Sequence, residues 1–187
     1  PSGMILATGN ANSASDLNLS TGASDPGVGF TNDPDLDLIA SNDLYDKCIL
    51  EFDFIPTGDS INFNYVFGSE EYPEYVCSGF NDVFGFFLTG NNPSGGTYNS
   101  QNVALIPDPG VPGSYTNTAV AINTVNPGVA GTNGVASTCS ALDPLWATYN
   151  VFYQTNTTNT YEYDGRTTTL PVAVLVKLPG AVASVGP

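Results

Sequence analysis

The densest group of polar side chains in the sequence lies between residues 69 and 82. Strongly apolar stretches flank this group, so its acids are expected at the end of a strand and not on an open face. Carboxylate and amide oxygens on a loop beside a rigid sheet suit Ca²⁺, which takes about six to eight oxygen ligands. The candidate ligands are Glu70, Glu71, Asn81 and Asp82. The alternative interpretation is an exposed acidic loop with hydrogen bonds at the strand end.

A second acidic cluster alternates Asp with other residues between positions 33 and 37. It resembles the start of an EF-hand loop, but Leu38 stands where that loop requires Gly and Leu44 stands where it requires Glu. The cluster as a whole fits a solvated turn. We nevertheless expect Asp35 or Asp37 to contribute a calcium ligand from across the fold.

Catalytic groups are scarce in this chain. It contains no His, which excludes a Ser-His-Asp or Cys-His nucleophile within the chain. The phosphate-cradling P-loop motif is also absent. Paired carboxylates can hydrolyse glycosides, and Glu70, Glu71 and Glu74 are the acids that a glycan- or peptide-hydrolysing enzyme would use here. We expect instead a binding or structural module that is not an enzyme.

The charge balance restricts the partners. The chain of 187 residues has 18 acidic side chains and a formal net charge of −15, against three basic residues, Lys47, Arg166 and Lys177. Nucleic-acid binding needs clustered Lys and Arg, and an anionic membrane surface repels such a chain. No run of about 20 apolar residues is present, so this segment is not expected to insert into a membrane. The negative electrostatic field of such a chain attracts cations, although the charge also serves solubility.

The three cysteines have no spacing that suits zinc. Little Lys, no His and abundant Asn, Thr, Ser and Gly indicate an extracellular protein. In that compartment Cys77 and Cys139, which lie in turn-rich segments, are candidates for a disulfide, and Cys48 would be a buried free thiol. Three reduced cysteines in the core are the alternative, because sequence alone does not fix the pairing.

The secondary-structure elements that must position the acidic side chains and the cysteines are indicated mainly by alternation of apolar and polar residues. Residues 48–54 and 61–67 each show this period and are separated by a Pro/Gly turn, which predicts a hairpin. Residues 83–88 form a continuous apolar run, typical of a strand covered on both faces. One short helix or turn is expected at residues 33–41, with Asp33 as its cap. Further strands are predicted at 4–7, 103–106, 119–123, 149–153, 160–163 and 167–176.

Many short strands joined by long Gly/Pro/Asn-rich loops predict an all-β fold, a jelly-roll-like β-sandwich. We expect a single domain over residues 1–177 and a tail or linker at 178–187, which is also compatible with an incomplete final strand. Pro171 within the last strand pattern indicates an edge position or a bulge.

Two motifs carry a family resemblance. Residues 65–75 read YVFGSEEYPEY and residues 80–87 read FNDVFGFF, and through them the chain resembles the choice-of-anchor L domain family. The resemblance covers nearly all of residues 3–170. Supporting matches are GMILATG at 3–9, DLD at 35–37, LEFDF at 50–54, VAIN at 120–123 and YDGRT at 163–167.

The resemblance implies a module of large bacterial surface proteins, typically exported by type IX secretion and often associated with gliding and adhesion. It implies a secreted or cell-surface location, with other surface proteins, copies of the same chain or glycans as partners. Residues 172–187 do not match the family's last strands, and an edge left open there would accept a donated strand, as in a surface filament or homopolymer. Ser60 follows Asp59 in an acceptor pattern for O-glycans of such bacteria.

The sequence thus predicts a calcium-stabilised structural or adhesion module at the cell surface. The alternative function is a carbohydrate-binding domain of a secreted protein. Aromatic residues on loops, such as Tyr75, Phe80 and Tyr115, would then stack on sugar rings, although most aromatic residues are more simply explained by strand pairing and the core.

Overall fold

The computed structural model describes residues 2–20 and 33–176, and within them it confirms the all-β class. The single α-helix of these ranges, α1, spans Ala136–Leu142, and 3-10 helices span Ser13–Ser15, Leu36–Leu38 and Trp146–Phe152. The strands are β1 (Ser60–Tyr65), β2 (Gly68–Ser69), β3 (Val83–Phe84), β4 (Phe87–Asn91), β5 (Thr97–Asn102), β6 (Leu105–Pro107), β7 (Tyr115–Ala121), β8 (Tyr153–Thr155), β9 (Gly165–Thr167) and β10 (Leu170–Leu175).

The strands of the described ranges form four small antiparallel sheets. Their strand orders are β1-β10, β2-β9-β8, β3-β7-β6 and β4-β5. β10 also contacts β6, so the β1-β10 sheet packs against the β3-β7-β6 sheet across a shared apolar core. Packing of two sheets face to face is the basic feature of a sandwich.

The β1-β10 pair shows why the alternating pattern predicts strands well when a partner is available. In β1 exposed and half-buried residues alternate, and the register runs from Ser60 opposite Leu175 to Tyr65 opposite Leu170. Pro171 lies in β10, which has one strand partner in the described residues. Pro has no N–H to donate, so the expected edge position is confirmed.

The predicted hairpin of residues 48–54 with 61–67 is wrong. Residues 48–54 form no strand, and β1 takes its partner from β10 at the far end of the chain. β10 brings Leu170 and Val172 into the core at 1% exposure each, which buries more apolar surface than residues 48–54 contribute. Cys48, expected as a buried thiol, is exposed.

Four other predicted strands differ from the structure. Residues 4–7 form no strand, and Met4 is 66% exposed. The run 83–88 is divided into β3 and β4, because Phe86 N donates to the side-chain Oδ1 of Asn102 at 3.1 Å and not to a backbone oxygen of a neighbouring strand. Residues 149–153 mostly continue a 3-10 helix.

The other failures have local causes. Trp146 and Tyr149 are both buried and lie three residues apart, which is the period of a 3-10 helix. Residues 160–163 form no strand, because Asn156 Nδ2 donates to the backbone oxygens of Tyr161 (2.6 Å) and Tyr163 (3.1 Å). The strands expected at 103–106 and 119–123 overlap β6 and β7, whose bounds differ from the predicted ones by one to four residues.

The helical candidate at residues 33–41 contains a short 3-10 helix. Asp33 Oδ1 accepts hydrogen bonds from the backbone N of Asp35 at 3.1 Å and of Leu36 at 3.0 Å. Asp33 therefore stabilises the turn that leads into the helix, whereas the N-cap of the helix itself is Asp35, which makes no side-chain cap hydrogen bond, and the helix ends at Leu38.

The core consists of two apolar clusters that share Phe67 and Tyr153 at their border. The first contains Tyr72, Val76, Cys77, Ile122, Cys139 and Trp146. The second contains Ile106, Val120, Val125, Tyr149 and Leu170. In the ranges described, no helix is long and apolar enough to span a bilayer. The predicted tail at 178–187 lies outside the described residues.

Candidate functional site

The loop that follows β2 carries the predicted calcium ligands. β2 pairs with β9, so that Gly68 lies opposite Arg166 and Ser69 opposite Gly165. This pairing brings the loop of residues 70–75 against residues 162–164, which precede β9. Two motifs that are almost one hundred residues apart in sequence therefore form one region of the molecule.

Ser69 fixes the start of this loop. Its Oγ donates to Asp82 Oδ2 at 2.8 Å and accepts from the backbone N of Glu71 at 2.9 Å. Tyr72, which is fully buried, donates its hydroxyl to the backbone oxygen of Val125. With both ends of the turn held, Glu70 and Glu71 project into different surroundings.

Glu71 belongs to the Asp82 group, which comprises Asp46, Glu71 and Asp82. Burial, and then the charge of Asp82, raise the pKa of Glu71. Asp82 is exposed as a whole residue, but the protein packed around its carboxyl group raises the pKa of that group. The hydrogen bond from Ser69 partly offsets this rise, and the charge of Asp46 adds to it. These acids are therefore close enough to repel one another.

Glu70 belongs to the Asp164 group, which comprises Glu70, Glu74, Glu162 and Asp164. Burial raises the pKa of Glu70 to about 8, and the charges of Asp164 and Glu162 add to that shift. Burial likewise raises the pKa of Asp164. A hydrogen bond from Asn18 lowers this pKa in part, and the charges of Glu74 and Glu162 raise it further. Asp164 is only 7% exposed.

Three oxygens of the Asp164 group are buried and accept no hydrogen bond within the described ranges: Glu70 Oε2, Glu74 Oε2 and Asp164 Oδ2. No Lys or Arg forms an ion pair with these acids there. Arg166 is near in sequence, but its guanidinium lies over the Tyr161 ring, 5.1 Å from the centroid. Buried carboxylate oxygens without partners are costly, and a bound proton or cation would remove that cost.

The remaining predicted ligands lie apart from Glu70. The amide of Asn81 is occupied, because Oδ1 accepts from Asn123 N at 2.9 Å and Nδ2 donates to Ser41 Oγ at 3.1 Å. Asp37 is exposed and Asp35 is half-buried beside the Asp33 cap. Over residues 2–20 and 33–176, no three acidic or thiol side chains are arranged to hold a metal ion.

Glu162 and Asp164 are the acids that the sequence interpretation missed. Asp164 was visible within the YDG motif, but its proximity to Glu70 follows from the pairing of β2 with β9. The acids that a hydrolase would need are also divided, because Glu71 faces Asp82, while buried oxygens of Glu70 and Glu74 do not line an open cleft.

Cys77 and Cys139 form a disulfide, with Cα atoms 5.0 Å apart. The bond joins the end of the acidic loop to α1, and both residues are fully buried in the first core cluster. Ser60, the candidate glycosylation site, is exposed at the start of β1, where its Oγ accepts from Asn62 Nδ2 at 2.7 Å.

An open pocket of about 470 Å³ lies beside the acidic loops, between residues 41–45 and 79–80. Its lining consists of Ser41, Asn42, Asp43, Tyr45, Gly79 and Phe80. Of these the sequence singled out Phe80 as a loop aromatic. Tyr45 escaped notice, because it lies in a stretch without any periodic pattern.

The comparisons with known proteins identify one relationship. The model of the choice-of-anchor L domain family matches residues 1–179. No curated protein and no solved structure shows significant similarity to the chain.

Proposed function

Because the chain belongs to the choice-of-anchor L domain family and is thus a surface-associated module, we propose that it is an adhesion module that binds another surface protein through residues 48–55. The family is a surface-anchoring module and is not known for enzymes. A secreted or surface protein is therefore the setting in which the structure must be interpreted.

The observation that carries this proposal is a strand-like sequence without a strand partner. The backbone of residues 48–55 makes no hydrogen bond in the part of the chain that the structure describes. Its apolar side chains are open to solvent, with Phe52 at 59% and Ile55 at 81% exposure. Free backbone donors and acceptors beside exposed apolar side chains are what an added strand binds.

The charges indicate the chemistry of the partner. Glu51 and Asp53 alternate with Leu50, Phe52 and Phe54, so an added strand would meet acids on one face and apolar groups on the other. A second copy would bring the same acids and a further net charge of −15. We therefore assign the surface to a strand of another protein that alternates basic and apolar residues.

Hydrogen exchange tests this assignment with two synthetic peptides, one alternating Val with Lys and the other Val with Glu. The amides of residues 49–55 should exchange rapidly in the free protein. The Val/Lys peptide should slow exchange at alternate residues, because an antiparallel neighbour pairs with every second residue on one edge. The Val/Glu peptide should have no effect.

The matched variants are Phe52→Ala and Phe80→Ala, whose side chains are similarly exposed, at 59% and 57%. Only Phe52→Ala should weaken protection by the peptide. Slow exchange at residues 49–55 in the free monomer would contradict the proposal, as would protection that depends on self-association in sedimentation measurements.

Calcium stabilisation is a second part of the proposed function, and the Asp164 group is its best support. Buried oxygens of Glu70, Glu74 and Asp164 lack hydrogen-bond partners in the described residues. Burial, and then repulsion from neighbouring acids, raise the pKa of Glu70 and Asp164. Ca²⁺ accepts carbonyl, amide and water oxygens beside carboxylates. Such mixed ligation is compatible with the lack of three converging acids in residues 2–20 and 33–176.

Thermal unfolding in CaCl₂ and in EGTA tests this part. Binding to the folded state alone raises stability by about 2.7 kcal/mol when calcium exceeds its dissociation constant a hundredfold. Asp164→Asn should lose this response, while Glu51→Gln, an exposed acid elsewhere, should retain it. Equal melting temperatures of the wild type in CaCl₂ and EGTA would exclude calcium but leave the strand proposal intact.

A further inference from the structure

The pocket between residues 41–45 and 79–80 has the features of a small-molecule site that is separate from residues 48–55. Its volume of about 470 Å³ is within the usual range of ligand pockets, and it combines two aromatic rings with several polar groups. We propose that this pocket binds a neutral pyranose unit of an extracellular glycan.

The walls of the pocket are held together before any ligand arrives. Asn42 Nδ2 donates to the backbone oxygen of Gly79 at 2.8 Å, and Asn81 Nδ2 donates to Ser41 Oγ at 3.1 Å. Asn123, which is fully buried, donates its backbone N–H to Asn81 Oδ1. The two loops are thereby tied to each other and to the core, which lowers the entropy cost of binding.

The aromatic rings offer faces to a ligand. Tyr45 is 69% exposed and Phe80 is 57% exposed. Phe80 is nevertheless fixed, since its ring meets Tyr75 edge-on with the ring centroids 5.2 Å apart and its backbone N donates a 3.0 Å hydrogen bond to Ser78 Oγ. A fixed, exposed ring gains free energy by covering the apolar C–H face of a sugar.

The polar lining suits hydroxyl groups. Ser41 Oγ accepts from two amides, which leaves its own hydrogen for a ligand. Asp43 and the Tyr45 hydroxyl make no hydrogen bond within the described residues. Together they provide both donors and acceptors, and each hydroxyl of a sugar can use one of either kind.

Charge excludes anionic ligands from the pocket, and hydrogen bonding separates sugars from cations. Asp43 is the one ionisable acid of the lining, no basic residue accompanies it, and the chain carries −15 overall, so uronic acids and phosphates are repelled. A quaternary ammonium group would also sit well on aromatic rings. Its N-methyl groups form no hydrogen bonds with Ser41, Asp43 and the Tyr45 hydroxyl, whereas the several hydroxyls of a sugar can bond to all three, and this polar lining therefore favours the sugar.

NMR titration with methyl glycosides of glucose, mannose, galactose and N-acetylglucosamine tests the proposal, together with a glycan array. At least one neutral glycoside should shift the resonances of residues 41–45 and 79–81. Tyr45→Ala and Phe80→Ala should each weaken binding about tenfold, the value of one lost stacking contact. Val129→Ala, which removes a similarly exposed apolar side chain (64%) outside the pocket, should leave the affinity unchanged.

Three results would overturn the proposal: no neutral glycan bound on the array or in titration, binding insensitive to both pocket variants, or choline bound in preference to every glycoside. None of them bears on peptide protection of residues 49–55. Conversely, failure of the Val/Lys peptide to protect those residues leaves the sugar titration unaffected, so the two proposals can fail independently.

Discussion

Glu70 and Glu71 are neighbours in the sequence, yet they face different acidic groups. On the Glu71 side, the Ser69 hydroxyl accepts from Glu71 N and donates to Asp82, which ties Glu71 to the Asp82 group. Glu71 meets Asp82, whereas Glu70 meets Asp164 and Glu162. The two groups are nevertheless adjacent, because the charge of Glu71 also contributes to the raised pKa of Glu70.

The Asp164 group predicts an inverted pH dependence in metal-free buffer. The pKa of Glu70 is about 8 in the folded protein and 4.5 ordinarily, so between these values the folded state keeps a proton that the unfolded chain releases. Stability should therefore fall as the pH rises from 5 towards 8.5. The expected loss is about 1–2 kcal/mol, well below the full shift because solvent screens the half-buried group.

Urea unfolding in EGTA across that pH range measures this effect. Glu70→Gln should flatten the curve and raise stability at the alkaline end, because it removes the repelled charge. Glu51→Gln should reproduce the wild-type slope. Constant or rising stability of the wild type above pH 5 would show that the raised pKa of Glu70 does not govern folding.

At the site, the sequence could identify residue types but not their grouping. The carboxylates of residues 70–74 and 82 were recognisable as oxygen donors. Their partners Glu162 and Asp164 were not, because only the pairing of β2 with β9 brings them close. The Cys77–Cys139 pairing was within reach, since both cysteines lie in turn-rich segments and Cys48 lies in a strand-like one.

At the level of elements, the tightest contact is between residues 73–77 and 131–135. Gly131 N donates to Val76 O at 3.0 Å and Val135 N donates to Cys77 O at 3.0 Å. A Cβ on Gly134 would lie 1.9 Å from Val76 O. The two segments are therefore in direct backbone contact, which glycine alone permits.

Gly134→Ala should consequently destabilise the protein by about 3 kcal/mol or more, since backbone atoms must move apart to admit the methyl group. Gly79→Ala is the control, because a Cβ there meets nothing within 4 Å. Chemical denaturation of both variants measures the difference. Equal stability of the two would mean that the segments separate at little cost.

The strands show where prediction from period succeeds. β1 and β10 were expected close to their observed positions, because each presents alternating side chains to a core. The same alternation at residues 48–54 led to a strand prediction that is wrong. The alternation describes which side chains can share a face, but it does not show whether a neighbouring strand is present to form hydrogen bonds. α1 was missed because its seven residues lack a capping side chain.

At the scale of the whole molecule, 18 acids and three bases leave the surface strongly negative. Self-repulsion opposes the compact state and is screened by salt. In EGTA, raising NaCl from low concentration to about 0.15 M should raise the melting temperature by a few degrees. Tetramethylammonium chloride at equal ionic strength should act alike, whereas an effect confined to Na⁺ would indicate specific ion binding.

The bond between Cys77 and Cys139 encloses a stretch that contains β3 to β7. An extracellular protease that cuts any peptide bond inside this stretch leaves both fragments covalently attached, and the molecule separates only after reduction. Trypsin has no target there, since Lys47, Arg166 and Lys177 all lie outside. A domain exposed to foreign proteases can thus be cut between Cys77 and Cys139 and still remain in one covalent piece.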